Sequence, residues 1–245
     1  MILKDAKKFN LNDEMKGTIV DCLLAYLNSM IVEQKLMTQE VDKDLDVELE
    51  TQIFATLKPF KSNFQESCVE NLRKALMKSS KLTDCQLQYS FKIYQVALKS
   101  TEKTASGVVR SFLKFLDECV TKALIFKSSA VLIEILTTNN AILGDPKIQL
   151  ENTAIDELLC LLIDPRIKPS TFGIEDFSKF YGAVGETLFV IASIRQNYFK
   201  SRISQFFNIY KSFIDAIYFY KNDQPDELEP VETSLLLKLT LQLEK

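Results

Sequence analysis

Histidine is absent from the 245 residues of this chain, and no other feature of the composition bears as directly on catalysis. Histidine is the side chain most used for general acid–base catalysis near neutral pH, and it is the commonest metal ligand. Nucleophilic Ser–His and Cys–His pairs within the chain are therefore excluded, as are zinc sites that need a histidine. Carboxylate and lysine chemistry remain open, but no convergent set of such residues stands out. We expect a protein that is not an enzyme.

Motifs that hold a bound ligand are also lacking. The closest approach to a phosphate-binding loop, Gly182-Ala183-Val184-Gly185, has neither the spacing nor the lysine of such loops. The acidic cluster between Asp42 and Glu50 resembles a calcium loop in its alternation, but the central glycine and the terminal glutamate spacing are missing. We therefore predict no metal, no cofactor and no small-molecule substrate.

The cysteines are odd in number and never occur as a C-x-x-C pair; they are Cys22, Cys68, Cys85, Cys119 and Cys160. Each lies within an apolar helical stripe, which is typical of buried free thiols in a reducing compartment. The first residues, MILKDAKKF, contain no apolar region of a secretory signal, and no apolar run approaches the ~18 residues of a membrane span. The expectation is a soluble intracellular protein, nuclear or cytoplasmic, with no membrane partner.

Glycine and proline are scarce, with six of each, so long helices meet few interruptions. Apolar residues recur at spacings of three and four along most of the chain, and this periodicity predicts an all-α protein of about nine or ten helices. The predicted architecture is an irregular α-solenoid, a helical-repeat array of the HEAT or armadillo type, with a globular bundle as the alternative. The predicted helices cover about 12–37, a segment ending near 59, 62–79, 84–98, 104–124, 129–143, 150–163, the two arms of 177–220, and 235–243.

Charge is unevenly distributed along the chain. Residues 1–60 carry 7 Lys and Arg against 11 Asp and Glu, whereas residues 61–140 carry 12 against 7. This basic middle could form one positive face that contacts RNA or an acidic protein partner. The alternative is a set of solvated helix faces, because the residues are dispersed at helical spacing. The candidate contact residues are Arg73, Lys74, Lys78, Lys81, Arg110 and Lys114.

The segment Phe177–Tyr220 has the pattern of a tightly packed helical hairpin. Gly182 and Gly185 lie three residues apart, which would open a groove on one helical face and predicts close approach of a neighbouring helix. Arg195, Lys200 and Arg202 fall at the predicted bend, where they are further candidate contacts to a partner or to RNA, or merely solvated charges. The predicted inward face of the second helix comprises Ile203, Phe206, Phe207, Tyr210, Phe213, Ile214 and Ile217.

This hairpin resembles the C-terminal domain of the Urb2/Npa2 family, the nucleolar 27S pre-rRNA processing proteins. The resemblance is carried by Val184-Gly185-Glu186-Thr187-Leu188, by Arg195 before the turn, by Arg202-Ile203 and by the hydrophobic helix Phe206–Ile217. The later segment Glu232–Leu239 is similar to a helix that follows a short acidic loop in that family. On this basis we divide the chain into a helical-repeat-like region, 1–170, and the start of the family's C-terminal domain, 171–245.

The resemblance implies a non-catalytic scaffold in the nucleolus that acts in early assembly of the large ribosomal subunit. Its partners would be other ribosome assembly factors and pre-rRNA, and it implies no catalytic residues. The alternative left open by the sequence is an α-solenoid adaptor in transport or trafficking, which would share the fold but bind other protein partners, in the cytoplasm.

Overall fold

The computed structural model describes residues 66–78, 82–99, 105–126, 128–164, 166–167 and 174–223, with scattered positions between 12 and 25. Throughout these residues the chain is helical and contains no strand, which confirms the predicted all-α class. The described positions from Glu14 to Ala25 are helical too, and Asn12 caps them as predicted, because its Oδ1 accepts the backbone N–H of Met15 at 2.8 Å. The predicted segments at 40–59 and 235–243 lie outside the described residues.

Two compact units make up the chain, Met1–Phe112 and Leu113–Lys245, and the division falls inside a helix. The described helices of the first unit are α1 (Glu66–Met77), α2 (Asp84–Leu98) and the first half of α3 (Ala105–Thr121). The predicted boundary at residue 170 follows the family resemblance instead, and it stays a prediction, as does the choice between a solenoid and a bundle.

The core of the first unit is built from the stripes that the periodicity predicted. Leu87, Phe91, Tyr94 and Leu98 of α2 are all buried. Phe112 of α3 sets its ring edge-on to Phe91 and Tyr94, with ring centroids 5.8 and 5.4 Å away. The start of α2 is fixed by a capping box, in which Thr83 and Gln86 exchange hydrogen bonds between side chain and backbone.

The second unit contains the rest of α3 and the helices that follow it: α4 (Ser129–Gly144), α5 (Asn152–Leu159), a 3₁₀ turn (Cys160–Ile163), α6 (Ile174–Ile194), α7 (Gln196–Ser201) and α8 (Ile203–Asp223). The predicted break after Gly144 is confirmed. The short α7 was not predicted, because its six residues are too few for periodicity to show.

Helix α4 packs along α6, the most extensive helix pairing among the described residues. It is buried on several sides, as its apolar sequence predicted, and even Thr138 and Asn139 are fully buried. Polar side chains join the two helices at Ser129, whose Oγ donates to Asp176 at 2.7 Å, and at Asn140, whose Oδ1 accepts from Thr187 at 2.6 Å. Partly buried hydrogen bonds of this kind favour one register of the two helices, because a slip would leave both partners unpaired.

Helix α3 ends in a left-handed cap formed by alanine. Ala123 has a φ of 53°, the Leu124 N–H donates to the Cys119 carbonyl at 3.0 Å, and the Ala123 N–H donates to the Val120 carbonyl at 2.9 Å. This is the Schellman arrangement, in which the left-handed residue is usually glycine. Because alanine carries a Cβ, the left-handed conformation is strained here.

The prediction that the cysteines are buried is only partly right. Cys68 and Cys119 are buried, whereas Cys22 and Cys160 are exposed. Cys160 lies at the start of the 3₁₀ turn, where helical periodicity no longer determines which way a side chain points. Partial desolvation and the carboxylate of Asp164 nevertheless raise the pKa of the Cys160 thiol to about 11. Within the described residues, no helix is long and apolar enough to span a bilayer.

Candidate interaction surface

Arg73, a predicted contact residue, is part of the packing of the first unit. Its guanidinium forms a bidentate pair with Glu70, with Nε–Oε2 and Nη2–Oε1 distances of 2.9 and 2.6 Å, and its side chain is only 11% exposed. Glu70 Oε2 also accepts from Ser111 Oγ at 3.1 Å, and Ser111 Oγ lies 3.2 Å from the hydroxyl of Tyr94. The network joins α1, α2 and α3. We therefore leave Arg73 out of the candidate surface.

The other predicted residues of the basic middle are solvated where the structure describes them. Lys74 and Lys78 are exposed and one turn apart on α1, and Lys74 lies 3.9 Å from Glu70. Arg110 and Lys114 are exposed and one turn apart on α3, and Arg110 lies 3.9 Å from Glu66. Ion pairs this long and this exposed contribute little. Lys81 lies outside the described residues.

The prediction that Gly182 and Gly185 permit the close approach of a neighbouring helix is wrong at Gly182 and stays a prediction at Gly185. A Cβ built at Gly182 would meet no heavy atom within 4 Å, so Gly182 does not permit a close approach. Gly185 is buried. The glycine that does permit a close approach is Gly107 on α3, where an added Cβ would lie 2.6 Å from Cδ and 3.0 Å from Cβ of Glu66. Gly107 stands alone in the sequence, without the i, i+3 spacing that drew attention to the other two.

Arg195, at the predicted bend, is bound to backbone carbonyls on all sides. Its Nε donates to the Leu143 carbonyl at 2.9 Å, and its Nη2 donates to the carbonyls of Ile142 at 3.1 Å and Asp145 at 2.7 Å. The remaining nitrogen, Nη1, donates to the Ile148 carbonyl at 2.8 Å. Burial lowers the pKa of Arg195, and the carboxylate of Asp145 acts in the opposite direction.

The bonds to the carbonyls of Ile142 and Leu143 cap the carboxyl end of α4, and the bonds to Asp145 and Ile148 hold the turn that follows it. The last carbonyls of a helix have no partner within the helix and carry a partial negative charge. A guanidinium at this end donates hydrogen bonds to those carbonyls and brings a positive charge close to them. Because its donors are used in this way, Arg195 is a structural residue, and we leave it out of the candidate surface. We call these hydrogen bonds the Arg195 clamp. The sequence could not predict it, because the acceptors are backbone atoms about fifty residues away along the chain.

Lys200 and Arg202, the other two residues of the bend, are exposed. Arg202 Nη2 lies 3.5 Å from Asp156 Oδ2 on α5, and Asp156 Oδ1 accepts from the Tyr198 hydroxyl at 2.7 Å. Desolvation is the main reason why the pKa of Tyr198 is raised, and the hydrogen bond to Asp156 raises it further. Asp156 thus fixes α7 against α5 and leaves both basic side chains at the surface.

Next to these cations, helix α8 presents apolar side chains to solvent. Phe206 and Ile209 are buried, whereas Ile203 is 45% exposed and Phe207 is 44% exposed. The predicted inward face was therefore wrong at Ile203 and Phe207, because an apolar stripe wider than one helix face does not show which half is covered. Lys211, one turn beyond Phe207, is exposed. We call Ile203 and Phe207, with Lys200, Arg202 and Lys211, the α8 surface.

The described part of the chain is all-α; some of its polar side chains join helices, and its α8 surface combines apolar and basic groups. Among those residues, no group of three or more histidines, cysteines, aspartates and glutamates could hold a metal ion. In comparisons with protein-family models, with curated proteins and with solved structures, nothing matched this chain.

Proposed function

We propose that this chain is a non-catalytic helical scaffold that binds protein partners through the α8 surface. The exposure of Phe207 and Ile203 on a helix whose start is flanked in sequence by the exposed Lys200, Arg202 and Lys211 carries the proposal. Burying a large aromatic ring is strongly favourable, and aromatic and arginine residues are the usual anchors of protein interfaces. Flanking cations would add selectivity for a partner with acidic groups around an apolar centre.

We further propose that the scaffold acts in early assembly of the large ribosomal subunit, alongside other assembly factors and pre-rRNA. The resemblance of the Phe177–Tyr220 hairpin to nucleolar pre-rRNA processing proteins supports this role. Lys74, Lys78, Arg110 and Lys114 are the exposed cations through which RNA contacts would be made, since phosphate binding needs accessible positive charge.

Affinity purification of the tagged full-length protein, with mass spectrometry of partners and sequencing of bound RNA, tests both proposals. Large-subunit assembly factors recovered with pre-rRNA would support the ribosomal role, and the protein should then be enriched in the nucleolus. Transport or coat components without pre-rRNA, or exclusion from the nucleus, would refute it in favour of the adaptor alternative.

A matched pair of variants tests the α8 surface in the same experiment. Phe207→Asp should abolish recovery of the direct partner, because a charge replaces the apolar anchor. Ser212→Asp places the same charge at another exposed position of α8, about 140° further round the helix axis, and should leave recovery unchanged. Equal recovery with both variants would show that partners bind elsewhere.

A further inference from the structure

The exposed residues of α8 form a ridge along the helix. Ile203, Phe207 and Lys211 are exposed and four residues apart, so they follow one another along one side of α8. Beside this ridge lie the short polar side chains of Ser204 and Asn208, which are exposed as well. Helices pack by fitting ridges of this i, i+4 kind into the grooves of a neighbouring helix. The α8 surface therefore has the shape on which another helix packs.

An extended peptide fits this surface less well. Extended segments bind mainly by adding a strand to the edge of a sheet, where main-chain hydrogen bonds supply the affinity. The described part of the chain contains no strand, and the backbone groups of α8 are used within its own helix. A helical segment satisfies its own backbone and needs only side-chain contacts. We therefore expect a helix on the α8 surface.

The charges along the ridge indicate which side chains that helix carries. Lys200 and Arg202 precede Ile203 in sequence, and Lys211 follows Phe207 by one turn, so exposed cations flank the apolar pair on both sides. A helix with apolar side chains at its centre and carboxylates towards both ends is complementary to this pattern.

The complementary stretch is short. From Arg202 to Lys211 is roughly 14 Å along the axis at 1.5 Å per residue. One turn beyond Lys211 lies the exposed Asp215, which would repel a carboxylate of the partner. About nine residues of a partner helix, or two and a half turns, are therefore enough to cover the ridge.

A second copy of the chain would bring like charges together. In an antiparallel two-fold arrangement that sets Ile203 against Phe207 of the other copy, Lys211 of each copy lies roughly 5 Å along the axis from Arg202 of the other. Such a juxtaposition of cations is unfavourable. Single-stranded RNA would match the cations and stack a base on Phe207, but Ile203 offers no aromatic face for a base.

We propose that the direct partner binds the α8 surface with an acidic amphipathic helix. Its apolar side chains cover Ile203 and Phe207, and its carboxylates face Arg202 and Lys211. This inference rests on the proposed function, because it specifies the kind of segment that the α8 surface receives. It does not depend on the ribosomal role.

Photo-crosslinking identifies the segment in contact. With p-benzoylphenylalanine at position 207 of the tagged full-length protein, irradiation in cells should join this position to one peptide of the partner, which mass spectrometry identifies after digestion. We expect this peptide to carry a net negative charge and apolar residues at i, i+3 or i+4, and i+7. The same photoreactive residue at position 212, on another side of α8, should not give this product.

A synthetic peptide of the identified segment then tests the chemistry with the purified full-length chain. The bound peptide should be helical by circular dichroism. Lys211→Glu should weaken binding about tenfold or more, because like charges then face each other. Lys78→Glu makes the same change of net charge at an exposed position of the first unit and should leave the affinity unchanged. Both variants should keep the helical spectrum of the parent.

The possible outcomes separate this inference from the proposed function. A cross-linked second copy, cross-linked RNA, a segment without the acidic amphipathic pattern, or no product at position 207 would refute the acidic helix. Equal affinity of the Lys211→Glu and Lys78→Glu variants would refute it too. The proposed function itself is refuted only by equal recovery of partners with Phe207→Asp and Ser212→Asp.

Discussion

At the scale of single residues, the glycines of this protein differ in what surrounds them. Gly107 faces Glu66 so closely that an added side chain would collide, Gly185 is buried, and Gly182 faces open space. We expect Gly185→Leu to lower the free energy of unfolding by about 1–3 kcal/mol through overpacking, and Gly107→Leu to lower it by less, because the exposed side chain of Glu66 can move aside. Gly182→Leu should instead raise it by about 0.5–1 kcal/mol, because leucine favours helix. Chemical denaturation of the three variants checks this, and destabilisation by Gly182→Leu would contradict the open environment.

Arg195 and Arg202 lie at the same bend but should differ in how much each contributes to the stability of the fold. Arg195→Met removes four hydrogen bonds to backbone carbonyls and should cost about 2–3 kcal/mol, since hydrogen bonds to charged groups are the strongest class. Arg202→Met removes a single contact of 3.5 Å at an exposed position and should cost less than about 1 kcal/mol. Thermal unfolding of both variants gives the comparison. Equal losses would mean that the clamp on α4 adds nothing to stability.

At the scale of secondary-structure elements, the carboxyl end of α3 is a place where one substitution should make the protein more stable. Ala123 holds a left-handed conformation that glycine adopts without strain. Ala123→Gly should therefore stabilise the protein by about 0.5–1 kcal/mol, after allowance for the greater freedom of glycine in the unfolded chain. Ala141→Gly, in the interior of α4, is the control and should destabilise by about 1 kcal/mol. If both variants were destabilised, the strain at Ala123 would be refuted.

The turn after the 3₁₀ helix depends on an ionised carboxylate. Asp164 accepts the Arg166 N–H at 2.9 Å and pairs with its guanidinium at 2.9 and 2.7 Å, and that side-chain bond holds the pKa of Asp164 below its usual range. The guanidinium also stacks 3.8 Å above the ring centre of Phe126.

Because the folded pKa of Asp164 is lowered, the stabilisation is complete above the unfolded value of about 4 and is lost as pH falls through the folded value. Asp164→Asn keeps the acceptor for the Arg166 N–H but removes the charge. At pH 7 the variant should be less stable than the parent by about 0.5–1 kcal/mol, and the difference should vanish in acid. Melting curves between pH 2 and 8 check the prediction, and a difference that persisted at the acid limit would contradict it.

At the scale of the whole molecule, the cysteines report on folding in both units. Cys68 is buried in the first, and Cys119 is buried in the second, where desolvation raises the pKa of its thiol to about 12. Maleimide labelling of the native protein should modify Cys22 first, Cys160 more slowly, and Cys68 and Cys119 last, because only an accessible thiolate reacts. Peptide mass spectrometry gives the order. Labelling of Cys119 as fast as Cys22 would contradict the described core.

Sequence periodicity anticipated the helices because burial of one stripe per helix is a local pattern, readable within a dozen residues. It predicted the buried stripe of α2 and the several-sided burial of α4. It did not predict the role of Arg195, because that side chain reaches carbonyls at the end of another helix, about fifty residues away in sequence. Arg73 pairs with Glu70 only three residues before it, but the further bond from Ser111 on α3 to Glu70 is not a local pattern. A charged side chain in a sequence does not reveal whether its partner is water, a carboxylate or a carbonyl.

The Arg195 clamp has a consequence for how this protein can vary in evolution. All four acceptors are main-chain oxygens, which every amino acid supplies, so Ile142, Leu143, Asp145 and Ile148 can be replaced without loss of the bonds. Paired substitutions would therefore not accumulate between Arg195 and the positions it holds. Covariation among related sequences would therefore miss this contact. Conservation of the arginine itself, directly after α6, would still reveal it.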